Sequence, residues 1–198
     1  METAERLDDL AARSTALSKL ASALRERGRG EQAERTARAA IELAEKADDP
    51  RAAALANKVL ASILWARWDH TLALEPFERA LQLAEQTGNR RELAYGLQDV
   101  ALPYAITGRS AAAIEATRKA QKIFHELGDR IWALLARTNE TLVFTRLGDL
   151  QAARRLSESL IEELSEVPEF PSNWRWKTWC SSSTAWACTN ERWKSGRG

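Results

Sequence analysis

Residues 101–120 of the chain read ALPYAITGRSAAAIEATRKA, and residues 61–80 read ASILWARWDHTLALEPFERA. The two stretches lie forty positions apart and share alanine at three places, which are Ala61, Ala73 and Ala80 in one and Ala101, Ala113 and Ala120 in the other. The turns follow the same period, since TGNR at 87–90 recurs as LGDR at 127–130 and, more weakly, as ADDP at 47–50. A fixed period of this length is typical of a chain built from stacked structural repeats.

The segments between the turns are rich in helix-forming residues, with apolar residues three or four positions apart. Leu93, Leu97, Val100 and Tyr104 show this spacing within one segment. The spacing predicts amphipathic helices rather than strands. We therefore predict an all-α fold of four antiparallel hairpins, with helices at 3–27, 31–46, 50–67, 71–86, 90–107, 110–126, 130–147 and 150–166.

Several residues at the ends of these segments are typical of helix boundaries. Asp49 followed by Pro50 suits an N-cap and a first-turn proline, and Ser110 is a second candidate N-cap. Gly88 and Gly128 suit the left-handed position that follows a helix. The boundary residues and the repeat thus indicate the same turns.

The order of residues within a unit resembles the tetratricopeptide repeat, in the forty-residue, long-helix variant of spindle-orientation adaptors and bacterial maltose-activator-type regulators. The residues that carry the resemblance are Ala61, Leu64, Trp68, Asp69, Ala73, Phe77 and Ala80 in one unit and Ala101, Tyr104, Gly108, Arg109, Ala113, Thr117 and Ala120 in the next. The resemblance covers about residues 10–166. It implies a right-handed α-solenoid, because each hairpin has apolar surface on both sides and must stack on its neighbours to bury it.

The resemblance also implies a concave groove lined by the first helix of every unit. The implied lining residues are Thr15, Ser18, Lys19 and Ser22; Leu55, Lys58, Val59, Ser62 and Trp65; Tyr95, Gln98, Asp99 and Leu102; and Leu135, Thr138, Asn139, Leu142 and Arg146. Apolar and aromatic groups can bury a partner's side chains, and amides can hydrogen-bond to its backbone. The alternative for each residue is a solvated helix face, and for Trp65 also packing under the next unit.

The fourth unit has charged residues at positions that should face inward. Arg137 and Glu140 stand where the third unit has Leu97 and Val100. A carboxylate buried without a partner is costly. We predict that Glu140 pairs with Arg137 one turn earlier, and the alternative is a face that is partly open to solvent.

The overall composition favours neither nucleic acid nor a membrane as a partner. The 198 residues include 29 Lys and Arg against 28 Asp and Glu, and no stretch approaches the ~18 apolar residues of a membrane helix. The first residues, METAERLDDLAARS, lack the apolar run of a secretory signal. We expect a cytoplasmic protein in which Cys180 and Cys188 are reduced thiols.

No arrangement of residues predicts catalysis. His70 and His125 have no nucleophile at a useful spacing, and GRG at 28–30 lacks the strand and the lysine of a phosphate-binding loop. The two cysteines and two histidines do not have metal-binding spacings. We therefore expect no catalytic residue, no metal, no cofactor and no enzymatic activity.

Residues 168–198 differ sharply from the repeats. Trp179, Trp186 and Trp193 recur every seven residues, with Trp176 one turn earlier. One hypothesis is a capping helix whose aromatic stripe covers the last repeat. The other hypothesis is translation out of frame, because a tryptophan codon preceded by C contains a leucine codon in the shifted frame. The nucleotide sequence of this tail separates the two hypotheses.

The favoured function is a non-catalytic scaffold that binds a peptide or helix of a partner protein in its groove. The alternative is a sensor or regulatory module, or a truncated piece, of a larger signalling or transcription regulator. A third alternative is self-association through an uncapped C-terminal end. The predicted organisation is an extension at 1–9, repeats at about 10–49, 50–89, 90–129 and 130–167, and the tail at 168–198.

Overall fold

The computed structural model describes residues 2–165, which form eight α-helices and no strand. The helices are α1 (Glu2–Glu26), α2 (Gly30–Lys46), α3 (Pro50–Ala66), α4 (His70–Gln86), α5 (Arg90–Ile106), α6 (Ser110–Glu126), α7 (Arg130–Leu147) and α8 (Leu150–Ser165). Each helix end lies within one residue of its prediction, so the all-α fold class is confirmed. None of the described helices combines the length and the apolar character that a membrane span needs. Both hypotheses for the tryptophan-rich tail concern residues outside the described range, and the unit boundaries stay a prediction.

The helix boundaries agree with the prediction at Asp49, Pro50, Gly88 and Gly128 and differ at Ser110. Asp49 is the N-cap of α3 and accepts hydrogen bonds from the N–H groups of Arg51 and Ala52 at 2.8 and 3.1 Å. Gly88 and Gly128 have φ values of 65° and 69°, so they occupy the left-handed region as predicted. The prediction for Ser110 is wrong, because the residue already lies within α6 and its neighbour is the N-cap, without a capping side chain.

The helices pack as four hairpins in a row, α1 with α2, α3 with α4, α5 with α6, and α7 with α8. Successive hairpins are joined by packing of α2 on α3, α4 on α5 and α6 on α7. The alanines that recur with the repeat, Ala73, Ala80, Ala113 and Ala120, are all buried. Small side chains let two helices approach closely, which is the packing role that their fixed spacing predicts.

Helix α5 lies close against α4 at Gly96. A Cβ atom at this position would be 3.1 Å from Cδ1 and 3.4 Å from Cα of Leu81, so a larger residue would push the helices apart. Helix α5 also continues through Pro103, which has no N–H group and leaves the carbonyl of Asp99 without its helical donor. Between Gly96 and Pro103, helix α5 therefore combines a close approach to α4 with a carbonyl that lacks its helical hydrogen bond.

Glu140 is buried, but its partner is not the predicted one. Arg118 on α6 donates a hydrogen bond from Nε to Oε1 of Glu140 at 2.9 Å. Arg137 is directed to α8, where it pairs with Glu163 and donates to the hydroxyl of Ser159 at 3.0 Å. The predicted pair of Glu140 with Arg137 is therefore wrong, because the two side chains contact different neighbouring helices.

Candidate functional site

The first helices of the hairpins lie closer to one another than the second helices do. Helix α1 contacts α3 and helix α5 contacts α7, whereas no successive pair among α2, α4, α6 and α8 packs comparably within the described residues. The stack therefore curves with its first helices on the inner side, which we call the inner wall. The inner wall is not uniform, because the backbones of α3 and α5 lie farther apart than those of α1 and α3 or of α5 and α7.

Most of the predicted groove residues lie at the boundary between the core and solvent. Arg146 is exposed, and the half-buried residues are Leu55, Lys58, Ser62, Trp65, Tyr95, Gln98, Asp99, Leu102, Leu135, Thr138, Asn139 and Leu142. From such a position a side chain can contact both the protein and a bound molecule. Their role in binding stays a prediction.

Two further predicted groove residues face the core instead. Ser18 on α1 and Val59 on α3 are buried. The prediction is wrong for both residues. Each is next in sequence to a predicted groove residue that is half-buried or exposed. Successive residues point about 100° apart around a helix, so Ser18 and Val59 point to the core instead.

Three of the predicted residues come together between α3 and α5. Nζ of Lys58 lies 2.7 Å from Oδ2 of Asp99 and 5.7 Å from the centre of the Tyr95 ring. The three residues therefore form one cluster of an ammonium group, a carboxylate and an aromatic face. Such a cluster can recognise a charged group, since it combines an ion pair with a cation–π contact.

The carboxylate of Asp99 has an unusual environment. About a third of the side chain is exposed, but its Oδ2 atom is shielded from solvent. The contact with Lys58 is close, yet its angles fall outside hydrogen-bond geometry, and no other donor among the described residues reaches Oδ2. Burial raises the pKa of the Asp99 carboxyl, and attraction to the Lys58 ammonium partly opposes that rise.

The space between α3 and α5 is a hollow of about 350 Å³. We call it the α3–α5 hollow, and the lining residues that matter for its chemistry are Leu55, Lys58, Phe77, Glu92, Tyr95 and Asp99. Asp49 and Arg51, at the start of α3, add one charge of each sign. The hollow has room for roughly ten water molecules, or for one side chain of similar bulk.

The Tyr95 ring packs against two further aromatic rings. It lies 5.3 Å from Phe124 on α6 and 4.7 Å from Trp132 on α7, measured between ring centres. The rings of Phe124 and Trp132 stack on each other at 5.9 Å. Aromatic contacts of this kind add stability beyond the area they bury, so the ring face presented to Lys58 is rigidly supported.

Other predicted groove residues are not brought together. Trp65 packs on His70 and Phe77 of its own hairpin, at ring distances of 4.3 and 6.3 Å, rather than under the next unit. The hydroxyls of Ser62 and Thr138 donate to carbonyls of their own helices. These contacts fix the three side chains in place, but they do not bring them to one site where a ligand could contact all three.

Part of the hollow and its ion pair were not predicted from the sequence. Glu92 and Phe77 were not among the predicted groove residues, although both line the hollow. The sequence did contain a signal for the ion pair. Lys58 and Asp99 have opposite charges and lie on successive first helices, forty-one positions apart, which is one more than the period of the repeat. Among the described residues no group of His, Cys, Asp or Glu side chains could hold a metal ion.

Comparison with known proteins supports the repeat and the fold. Residues 12–86 match the family model of the tetratricopeptide repeat. No curated protein sequence matches the chain. Residues 12–86 thus match tetratricopeptide repeats, and the all-helical structure of residues 2–165 matches solenoids of TPR-like repeats. The resemblance and the α-solenoid predicted from the sequence are confirmed.

Three solved structures illustrate the similarity. A Podosopora anserina chain of nearly identical TPR-like repeats, named as a kinesin light chain, matches with a TM-score of 0.70 and 15% identity over 93% of this chain and 90% of that chain. A variant of that protein has a TM-score of 0.70 and 16% identity over 98% of this chain and 91% of that chain. A Rap protein complexed with Competence and Sporulation Factor has a TM-score of 0.66 and 19% identity over 78% of this chain and 43% of that chain. The present chain therefore spans less than half of the Rap protein chain, and at these identities the similarity shows the fold alone.

Proposed function

We propose that the chain is a non-catalytic, cytoplasmic protein-interaction module whose inner wall binds an extended peptide or a helix of a partner protein. The observation that carries this proposal is the α3–α5 hollow, an opening in the wall that contains an ion pair and a supported aromatic face. A site of this composition suits binding, because apolar area contributes affinity and a few placed polar groups contribute specificity.

The rest of the inner wall has the groups that a peptide needs on either side of the hollow. Gln98 on α5 and Asn139 on α7 are half-buried, and their amides make no side-chain hydrogen bond within the described residues. An amide can both donate to and accept from an extended backbone, which pairs it with a peptide of any sequence. Leu102 and Leu142, also half-buried, add apolar area on the same two helices.

The fold of a neighbour is consistent with this function. A Rap protein of similar fold has been solved as a complex with Competence and Sporulation Factor. That complex belongs to the Rap protein, and for the present chain it supports only the general mode, in which a repeat solenoid holds another molecule.

The proposal is tested by selecting peptides from a random displayed library on the immobilised chain and measuring their affinity by fluorescence anisotropy. The combined variant Gln98→Ala and Asn139→Ala is expected to weaken the selected peptides about tenfold or more, since two hydrogen bonds are lost. The matched control is Gln82→Ala with Gln151→Ala, which removes two exposed amides from the second helices α4 and α8. Equal affinities for both variants and the unaltered chain would reject the inner wall as the binding surface.

A second candidate function is the sensor or regulatory part of a larger signalling or transcription protein. The Rap protein of similar fold is a longer chain, of which the present chain spans 43%. The test is the gene sequence on either side of the coding region. A DNA-binding or nucleotide-binding domain in the same reading frame supports this candidate, and an independent gene beside the gene of a peptide-bearing partner supports the scaffold.

A further inference from the structure

We propose that the α3–α5 hollow recognises one cationic side chain of the bound peptide, a lysine or an arginine, and that the ammonium of Lys58 occupies this place until the ligand displaces it. The inference rests on the proposed function and names the chemistry of its ligand. It is carried by the cluster of Lys58, Asp99 and Tyr95, together with the charge and size of the hollow around it.

The carboxylate of Asp99 is the first reason to expect a cation. Its Oδ2 atom is shielded from solvent and lacks a hydrogen bond from any described residue, although Nζ of Lys58 is only 2.7 Å away. A buried carboxylate oxygen is stabilised best by a donor that also carries positive charge. An ammonium or a guanidinium that enters from the hollow can supply the hydrogen bond that the angle of the Lys58 contact prevents.

The second reason is the ring of Tyr95. A cation above an aromatic face is attracted by the electron density of that face, and the attraction grows when water is excluded. Phe124 and Trp132 pack against the ring and hold it in place, so it does not have to be ordered when a ligand arrives. Nζ of Lys58 already uses this face at 5.7 Å, which shows that a cation fits between the ring and Asp99.

The third reason is the charge of the lining. The hollow is lined by three carboxylates, those of Asp49, Glu92 and Asp99, and by two cations, those of Arg51 and Lys58. When Lys58 leaves, three carboxylates stand against one guanidinium, so the vacated hollow attracts a cation and repels an anion. A volume of about 350 Å³ accommodates the stem of a lysine or arginine side chain as well as its charged end.

Lys58 itself is suited to be displaced. Its side chain is 44% exposed, so the ammonium can move into the surrounding water and be hydrated there. The exchange replaces the ion pair of Asp99 with Lys58 by an ion pair of Asp99 with the ligand. The net gain in binding free energy comes from the better hydrogen bond and from the contacts of the rest of the peptide. Removal of Lys58 should therefore strengthen the binding of a cation, whereas a ligand that used Lys58 as its hook would bind more weakly.

The experiment uses four small probes, the amides of N-acetyl-lysine, N-acetyl-arginine, N-acetyl-glutamine and N-acetyl-glutamate. Each is titrated at constant ionic strength into ¹⁵N-labelled full-length chain while the amide signals of residues 92–99 are followed by NMR. Saturable shifts are expected with the lysine and arginine amides only. Lys58→Met is expected to lower their Kd about fivefold, and Asp99→Asn is expected to abolish the binding. The matched control Lys122→Met, which removes an exposed cation from α6, should leave the Kd unchanged.

Two results would overturn the inference. One is binding of the glutamate amide that disappears in Lys58→Met, which would make Lys58 an anion hook. The other is the absence of saturable shifts for the lysine and arginine amides in both the unaltered chain and Lys58→Met. Because Lys58→Met keeps a long apolar side chain at a half-buried position, it preserves the packing of α3. The peptide experiment with Gln98 and Asn139 is independent, so loss of the probe effect alone leaves the proposed function standing.

Discussion

Two successive junctions of the inner wall are built from the same repeat and yet differ. Between α5 and α7, the indole of Trp132 packs against the Tyr95 ring and closes the wall. Between α3 and α5, the residue forty positions before Trp132 is Glu92, and it lines an open hollow. A carboxylate neither fills the space of an indole nor gains from leaving water, so the hollow remains. One side chain per unit therefore decides whether this wall is closed or can receive a ligand.

The carboxylates at the two junctions also differ in whether a partner within the chain satisfies them. Next to the closed junction, where α7 packs on α6, Glu140 is buried and is hydrogen-bonded by Arg118. At the open junction, Oδ2 of Asp99 is buried without such a bond, and Lys58 is close to it but badly aligned. The closed junction is thus satisfied within the chain, whereas the open junction leaves an acceptor that a ligand can use.

The largest expected effect comes from opening the closed junction. Trp132→Ala should lower the free energy of unfolding by about 3 kcal/mol, because an indole that packs on two other rings is removed. Urea denaturation followed by circular dichroism measures it. The matched control is Trp68→Ala, which removes a tryptophan that is 72% exposed and should change stability by less than about 0.5 kcal/mol. Similar losses for the two variants would mean that Trp132 does not close the wall.

The next effect concerns the buried carboxylate at the closed junction. Arg118→Met should lower the free energy of unfolding by about 2 kcal/mol, because Glu140 is then buried without a partner. The value is at the low end for such pairs because the Arg118 side chain is 64% exposed. The double variant Arg118→Met with Glu140→Met should recover most of the loss in the same urea experiment. If the double variant is as unstable as the single one, the pair is not what satisfies Glu140.

A smaller effect is expected from closing the open junction. Glu92→Trp should fill the α3–α5 hollow, raise the free energy of unfolding by about 1 kcal/mol and prevent the shifts caused by the lysine and arginine amides. Glu115→Trp, which replaces an exposed carboxylate on α6, is the control for a tryptophan added to the surface. A Glu92→Trp chain that still binds the probes would contradict the correspondence between Glu92 and Trp132.

The smallest effect is the pH dependence of stability, which should have opposite signs for two carboxylates. The pKa of Asp99 is raised from its ordinary 3.8 by burial, so above pH 3.8 the folded chain retains a proton that the unfolded chain has lost, and stability falls as pH rises. The pKa of Glu163 is lowered from 4.5, mainly by its hydrogen bond from Arg137, so its contribution is present above pH 4.5 and is lost as pH falls.

Thermal unfolding from pH 3 to pH 7 distinguishes these signs, over a range that brackets the ordinary pKa of a carboxyl group. Asp99→Asn should become more stable relative to the unaltered chain as pH rises, and Glu163→Gln should become less stable relative to it. A parallel course for the two variants would show that Asp99 and Glu163 have similar environments.

Much of the fold was predictable because its signals are local. Helix propensity, the three- and four-residue spacing and caps such as Asp49 act within one or two turns, so the helix ends follow from short stretches of sequence. Ser110 was misplaced because serine suits both an N-cap and a first turn, and the choice depends on how the preceding turn closes. That turn brings the N–H of Arg109 to the carbonyl of Tyr104 at 2.8 Å, and Arg109 rather than Ser110 becomes the N-cap.

The candidate site was predictable only in part. The phase of the repeat brought Lys58, Tyr95 and Asp99 to one side of their helices, since phase depends on rotation around a helix axis. It did not show that Glu140 contacts Arg118, because Arg118 lies on a second helix whose distance from α7 is set by packing. The hollow was missed for the same reason, since an empty space is a property of several helices together.

The sequence by itself determined the number, type and limits of the described helices and the period with which they stack, because those depend on interactions between residues that are near in the chain. Only the tertiary structure decided which junction of the inner wall is closed and which is open. That decision depends on how Trp132 and Glu92 fill the space against residues of neighbouring helices, and on the close packing of Gly96 against Leu81. Such distances are fixed only when all the helices pack at once.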